Sequence, residues 1–98
     1  MSNNFKDLDP VLHSQARLSI VSLLMSSKSA EFSYLRDTLK MTAGNLSVQI
    51  SNLEKAGYIN VKKEFVDNYP CTTLSMTAKG IRAFEKYTEN LKAYLNPK

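Results

Sequence analysis

A mainly helical α+β fold is predicted for this chain of 98 residues: three helices, a β-hairpin, and a long C-terminal helix. Three observations carry the prediction. Apolar residues recur at helical spacing in the first half, punctuated by capping residues. After Gly57 the period changes to strand-like alternation. After Thr77 the helical period returns and runs to the end.

The elements follow in order. Residues 1–8 read as a flexible lead-in, polar and mixed in charge, which does not match a signal peptide. Asp9-Pro10 marks the start of a first helix over 9–27, because proline fits a first helical turn and aspartate suits the positive end of the dipole. Leu12, Ala16, Ile20, Leu23 and Leu24 form its buried stripe. The polar run Ser26 to Ser29 ends it, and Ala30 to Phe32 fits either a brief strand or an extended linker. Ser33 caps a short helix, with Leu35 and Leu39 on its inner side. Lys40 and Met41 make a turn. Thr42 caps a further helix to Ala56, in which Leu46, Ile50 and Leu53 face inward and Gly57 supplies the left-handed residue at its end.

Tyr58, Ile59, Val61, Phe65 and Val66 favour a strand, Asp67 to Pro70 is turn-rich, and Cys71 to Met76 alternates on the way back. Thr77 caps a last helix over 77–95 carrying Ile81, Phe84, Tyr87, Leu91 and Leu95, which Asn96-Pro97 stops. Two short helices joined by a tight turn over 33–56, with a hairpin over 58–76 behind them, make a helix-turn-helix with a wing. The reading element of such a fold is the second of those helices.

Composition bounds the function. A hydrophobic fraction of 43% and a charged fraction of 22% suit an ordinary globular domain, and the length allows one core. No apolar run approaches the roughly 20 residues that cross a bilayer, so the expected location is cytoplasmic with no membrane partner. One cysteine, Cys71, and one histidine, His13, supply neither a disulfide nor a set of soft metal ligands, and no cofactor is expected. Cys71 reads as a small strand residue and His13 as a structural one. There is no nucleophile–base pair and no glycine-rich phosphate loop, so the chain is not read as an enzyme.

The formal net charge of +4 suits a polyanion partner, and its placement is more informative. Between Arg36 and Lys63 stand five basic residues (Arg36, Lys40, Lys55, Lys62, Lys63) against two acids (Asp37, Glu54). With Thr42 and the free N–H groups at its helix start, these are the candidate phosphate contacts on double-stranded DNA. At about 100° per residue, the helix face opposite Leu46, Ile50 and Leu53 carries Gly44, Val48, Ser51, Asn52 and Lys55, with Asn45 and Ser47 on the flanks. A face so small fits a major groove about 12 Å wide. Asn45, Ser47, Val48, Gln49, Ser51 and Asn52 are the candidate base contacts, with Gln49 nearer the buried side and ranked below Asn52.

Several stretches also resemble a known family. Leu8-Asp9-Pro10-Val11-Leu12-His13-Ser14, Phe32-Ser33-Tyr34-Leu35-Arg36-Asp37, Gly44-Asn45-Leu46-Ser47 and Leu53-Glu54-Lys55-Ala56-Gly57-Tyr58 are similar to small winged-helix transcriptional regulators related to the MarR and ArsR groups. Thr72 to Gly80 resembles the end of that family's wing and the start of its last helix. The resemblance spans roughly Leu8 to Leu95 and implies a homodimer that binds DNA through paired recognition helices and regulates transcription. Two departures stand out. Val48-Gln49 replaces a basic or aromatic-polar pair, and the wing reads Asp67-Asn68-Tyr69-Pro70-Cys71 where the family's is commonly arginine-rich.

The last helix carries a broad apolar stripe, to which the first helix adds Val11, Val21 and Met25. Either the two terminal helices cover each other or a partner covers them. The resemblance favours a two-fold dimer through Val11, Leu12, Phe84, Tyr87, Leu91, Tyr94 and Leu95. A crevice lined by Tyr34, Tyr87 or Tyr94 would be the place for a small-molecule effector, whose chemistry no residue pattern identifies. The alternative function is a winged-helix protein-interaction module with little DNA binding, which the arginine-poor wing favours.

Overall fold

The computed structural model describes residues 5–97, in the order α1 (Gln15–Ser27), β1 (Ser29–Glu31), α2 (Phe32–Leu39), α3 (Ala43–Lys55), β2 (Ile59–Val66), β3 (Tyr69–Met76) and α4 (Ala78–Leu95). The class is the expected one, mainly helical with a small antiparallel sheet. Leu12, Ile20, Leu24, Leu35, Leu46, Leu53 and Leu74 are wholly buried, so every helix before the hairpin and the central strand itself contribute to one core. Among the described residues no polar or charged side chain is buried, and no helix is long and apolar enough to cross a membrane.

The first helix begins later than expected. Asp9 Oδ1 accepts from Val11 N at 2.8 Å, and His13 N donates to Asp9 O, so Asp9-Pro10 opens a turn rather than a helix. An aspartate side chain that captures the N–H two residues on offers the backbone an alternative to the helical ladder. Ser14, in extended geometry, is the true N-cap, its Oγ accepting from Arg17 N. The turn is pinned at both ends. Tyr58 Oη donates to Asp9 Oδ2, and burial followed by that carboxylate pushes the phenol up to about 12, so it stays a donor at any working pH. His13 Nδ1 meets Tyr87 Oη at 2.9 Å, linking the turn to α4.

Residues 5–8 are also corrected. The expected flexible lead-in covers 1–8, of which 1–4 lie outside the described residues. The Phe5 ring packs tilted at 58° against the Tyr94 ring, centroids 5.2 Å apart, Tyr94 Oη donates to Lys6 O at 2.6 Å, and Leu8 packs against the core. Two apolar side chains anchor the segment along the end of α4.

The stretch after α1 is a strand. β1 pairs with β3 through Ala30↔Leu74, giving the sheet order β1-β3-β2. Glu31 rather than Ser33 precedes α2, with no side-chain cap. The hairpin closes on Asp67 and Asn68 alone, both at positive φ (52° and 67°), the geometry that suits the twist of a two-residue hairpin. β3 therefore starts at Tyr69, two residues before the expected return run. Pro70 is tolerated there because β1 covers only Thr73 to Ser75, leaving Pro70 on an edge.

α4 is seated by Thr77, whose Oγ1 accepts from Gly80 N at 2.9 Å and donates to Gly57 O at 2.6 Å. Its apolar stripe divides. Leu12 (0% exposed) and Tyr87 (3%) belong to the chain's own core and are not available to a partner, which corrects their assignment to a dimer surface. Val11, Phe84 and Leu91 are half-buried against that core. Ile81, Tyr94 and Leu95 are exposed, Leu95 by 76%.

Candidate nucleic-acid interface

α3 is the most completely specified element. Thr42 Oγ1 accepts from Asn45 N at 3.1 Å, and Leu46 N donates to Thr42 O, leaving the N–H groups of Ala43 and Gly44 outside the helix's own bonding. Leu46, Ile50 and Leu53 hold one side in the core. At the other end Gly57 takes φ 81°, Tyr58 N donates to Leu53 O, and Gly57 N to Glu54 O. This paired closure needs a residue in left-handed geometry, which is why a glycine stands there. α2 reaches α3 through Lys40, itself left-handed at φ 55°.

The opposite side of α3 faces solvent. Asn45, Ser47, Val48, Asn52 and Lys55 are exposed, Val48 by 56%, and Ser51 is half-buried at the edge. A Cβ at Gly44 would meet nothing within 4 Å, so the first turn presents bare backbone. Gln49 departs from the expected role. Its Oε1 accepts from Arg17 Nη1 at 2.8 Å and its Nε2 donates to Asn45 Oδ1 at 3.0 Å, so its carboxamide is used inside the molecule instead of on the reading face.

A groove of about 680 Å³ runs between α3 and the sheet. Ser47, Ser51 and Glu54 line one wall, Lys63 and Thr72 the other, with Phe32, Ile50 and Val61 at its base. Strand alternation then separates two neighbours that the sequence placed together. Lys63 lies opposite Thr72 on the face toward α3, whereas Lys62 lies opposite Thr73 on the far face. There Lys62 Nζ is 3.9 Å from Glu64 Oε2, so Lys62 is removed from the cluster beside α3. Arg36 keeps its position but pairs with Asp37 at 3.1 Å. Lys40, Lys55 and Lys63 have no ion-pair partner among the described residues. Thr42 is exposed, with its hydroxyl oxygen serving the cap.

The residue missed from sequence is Arg17. Its only outward sign was an arginine in an apolar helix with no acid three or four positions away. The other singled-out side chains have modest roles. The Cys71 thiol bonds to the Glu31 carboxylate at 3.0 Å, which raises its pKa away from the reactive thiolate. Tyr34, Tyr87 and Tyr94 do not share one cavity: Tyr34 borders a small hollow with Ser29 and Thr73, Tyr87 is buried, and Tyr94 holds Lys6. No group of three metal-ligating side chains occurs among the described residues.

A helix-turn-helix whose second helix is half in the core and half bare, backed by a hairpin, defines a winged helix. The family of winged helix DNA-binding domains matches residues 16–95, and the chain belongs to it. An uncharacterized protein of Methanocaldococcus jannaschii is 34% identical over 77 residues, which is 79% of this chain and 84% of that one. A transcriptional regulator homologue protein from Pyrococcus horikoshii superposes with a TM-score of 0.83 at 30% identity, over 88% of this chain and 85% of that one. A cysteine-to-serine mutant of Escherichia coli MarR, complexed with operator DNA, matches in fold with a TM-score of 0.71 at 15% identity, over 88% of this chain and 61% of that one. The fold is thus shared with both of these solved structures.

Proposed function

We propose that the chain is a sequence-specific DNA-binding transcription regulator that acts as a homodimer on a pseudo-palindromic operator. The observation that carries this reading is the bare side of α3, small and polar, flanked by Lys40, Lys55 and Lys63 without acidic partners. Such a surface lets a helix backbone lie deep in a major groove while the lysines meet phosphates. Ser47, Val48, Ser51 and Asn52, with Asn45 at the helix start, face the bases. Val48 suits a thymine methyl and Asn52 an adenine edge. Arg36 and the N–H groups at the start of α3 complete the phosphate contacts.

Ile81, Tyr94 and Leu95, with the outer parts of Val11, Phe84 and Leu91, form the surface that a second copy covers. Two-fold symmetry then sets the two α3 helices into successive major grooves, about 34–36 Å apart. A small-molecule effector is not needed for this reading.

The test is salt dependence. Lys55→Ala should weaken binding nearly equally across sequences and reduce the slope of log affinity against log salt by about 1. An unchanged slope would remove Lys55 from the phosphate contacts.

A second reading rests on the wing. Its tip carries Phe65 (77% exposed), Tyr69 (74%) and Val66 (49%) around an acidic turn residue, Asp67. Those apolar side chains suit a protein surface, and a winged helix specialised for interaction would show no salt-dependent affinity for any duplex.

A further inference from the structure

Arg17 is held at three points. Its Nε donates to Val11 O at 2.6 Å, its Nη2 to Pro10 O at 3.4 Å, and its Nη1 to Gln49 Oε1 at 2.8 Å. Gln49 Nε2 passes the chain on to Asn45 Oδ1 at 3.0 Å. The direction of this chain is dictated by chemistry. A guanidinium has five N–H donors and no acceptor, so the Gln49 atom facing it must be the carbonyl oxygen. The other end of that carboxamide is then the NH₂ group, and Asn45 can accept from it only through its own oxygen. One arginine on α1 orients two carboxamides on α3.

The consequence falls on the exposed residue. With Oδ1 turned toward Gln49 on its own helix, the end of the carboxamide that Asn45 turns away from that contact is its NH₂. Asn52, by contrast, is exposed and has no side-chain hydrogen bond among the described residues. Reading adenine with both ends of a carboxamide requires the oxygen to accept from N6 while the NH₂ donates to N7.

We propose that Arg17 is a positioning residue that presents Asn45 to DNA with its NH₂ outward, as a donor. The base facing Asn45 then offers an acceptor in the major groove (guanine O6 or N7, thymine O4 or adenine N7) and is not cytosine, while the two-ended adenine contact belongs to Asn52. This inference rests on the DNA-binding reading above and assigns a base class within it.

Two variants test it. In Arg17→Met the Gln49 carboxamide loses its fixed direction, so preference at one base pair per half-site falls by up to about tenfold, with the salt slope unchanged. Arg17→Lys keeps one donor to Gln49 Oε1 and restores part of that preference. In Gln49→Glu both oxygens accept, from Arg17 and from the Asn45 NH₂. Asn45 then turns its oxygen outward, and preference at the same pair moves toward a base with a donor, cytosine above all, since its major-groove edge offers the parent's NH₂ no acceptor.

The measurement is relative affinity for the duplex selected by the parent protein, with every base pair substituted in turn. Side-chain amide resonances of the free protein accompany it. Unchanged base preference in both variants overturns the proposal, and so does a uniform loss across all sequences. If Arg17→Met fails to fold, the Gln49→Glu preference decides. The resonances separate two failures. Gln49 signals that do not move in Arg17→Met show that the relay itself is absent. Signals that move in a protein binding no duplex show that the DNA reading is what fails.

Discussion

Replacing Gly80 by alanine should lower the unfolding free energy by about 3 kcal/mol, the upper part of the range for overpacking a close contact. A Cβ there would stand 2.1 Å from Tyr58 O, 2.8 Å from Tyr58 C and 2.9 Å from Met76 Cε. The methionine tip can swing aside. The carbonyl cannot, because Tyr58 O accepts from Thr77 N at 3.0 Å and that bond seats the start of α4 beside β2. Alanine's higher helix propensity returns less than about 1 kcal/mol and does not offset the clash. Denaturant unfolding of the parent and Gly80→Ala proteins reads the difference as a lower midpoint. An unchanged midpoint would mean that α4 is free to shift, and that its seat on the hairpin is not fixed as described.

The second large effect concerns function with the fold left intact. Val48→Glu should weaken binding to the cognate duplex by about 100-fold at moderate salt, or roughly 2.7 kcal/mol, because it sets a carboxylate against phosphates at the centre of the reading face. Val48 is 56% exposed and lies outside the buried stripe of α3, so its unfolding midpoint should stay that of the parent. The pair of readouts matters. Loss of binding with an unchanged midpoint places α3 at the interface, whereas retained binding would put the DNA surface elsewhere on the molecule.

The parts of the fold written in local sequence were readable in advance. Thr42, the Leu46–Ile50–Leu53 stripe and Gly57 each act within a few residues of themselves, so α3 and its exposed side followed from spacing alone. The hairpin followed from the change of period. What escaped was decided by contacts distant in sequence or by a side chain competing with its own backbone. Asp9 looked like a helix start, but its carboxylate takes the Val11 N–H and receives the Tyr58 hydroxyl, turning the expected first turns of a helix into a knot between segments. Leu12 and Tyr87 carry the right polarity for a dimer surface, and only the packed structure shows that one domain consumes both.

Lys62 and Lys63 are neighbours in a basic cluster along the sequence, but strand alternation puts adjacent residues on opposite faces. That separation was legible once β2 was accepted as a strand. The Arg17–Gln49–Asn45 chain was not, since 32 residues separate its first two members and nothing in spacing joins α1 to α3. The candidate site is thus narrower than a helical wheel suggests, with the Gln49 carboxamide engaged by Arg17 and Asn45 and Lys62 turned to the far face of the sheet.

The measurement closest to the central claim is selection of bound fragments from random duplexes at low and then moderate salt. The account predicts enrichment of one inverted repeat, its half-sites about one helical turn apart and its affinity falling steeply as salt rises. Recovery of no preferred sequence, with no duplex retained even at low salt, would contradict it.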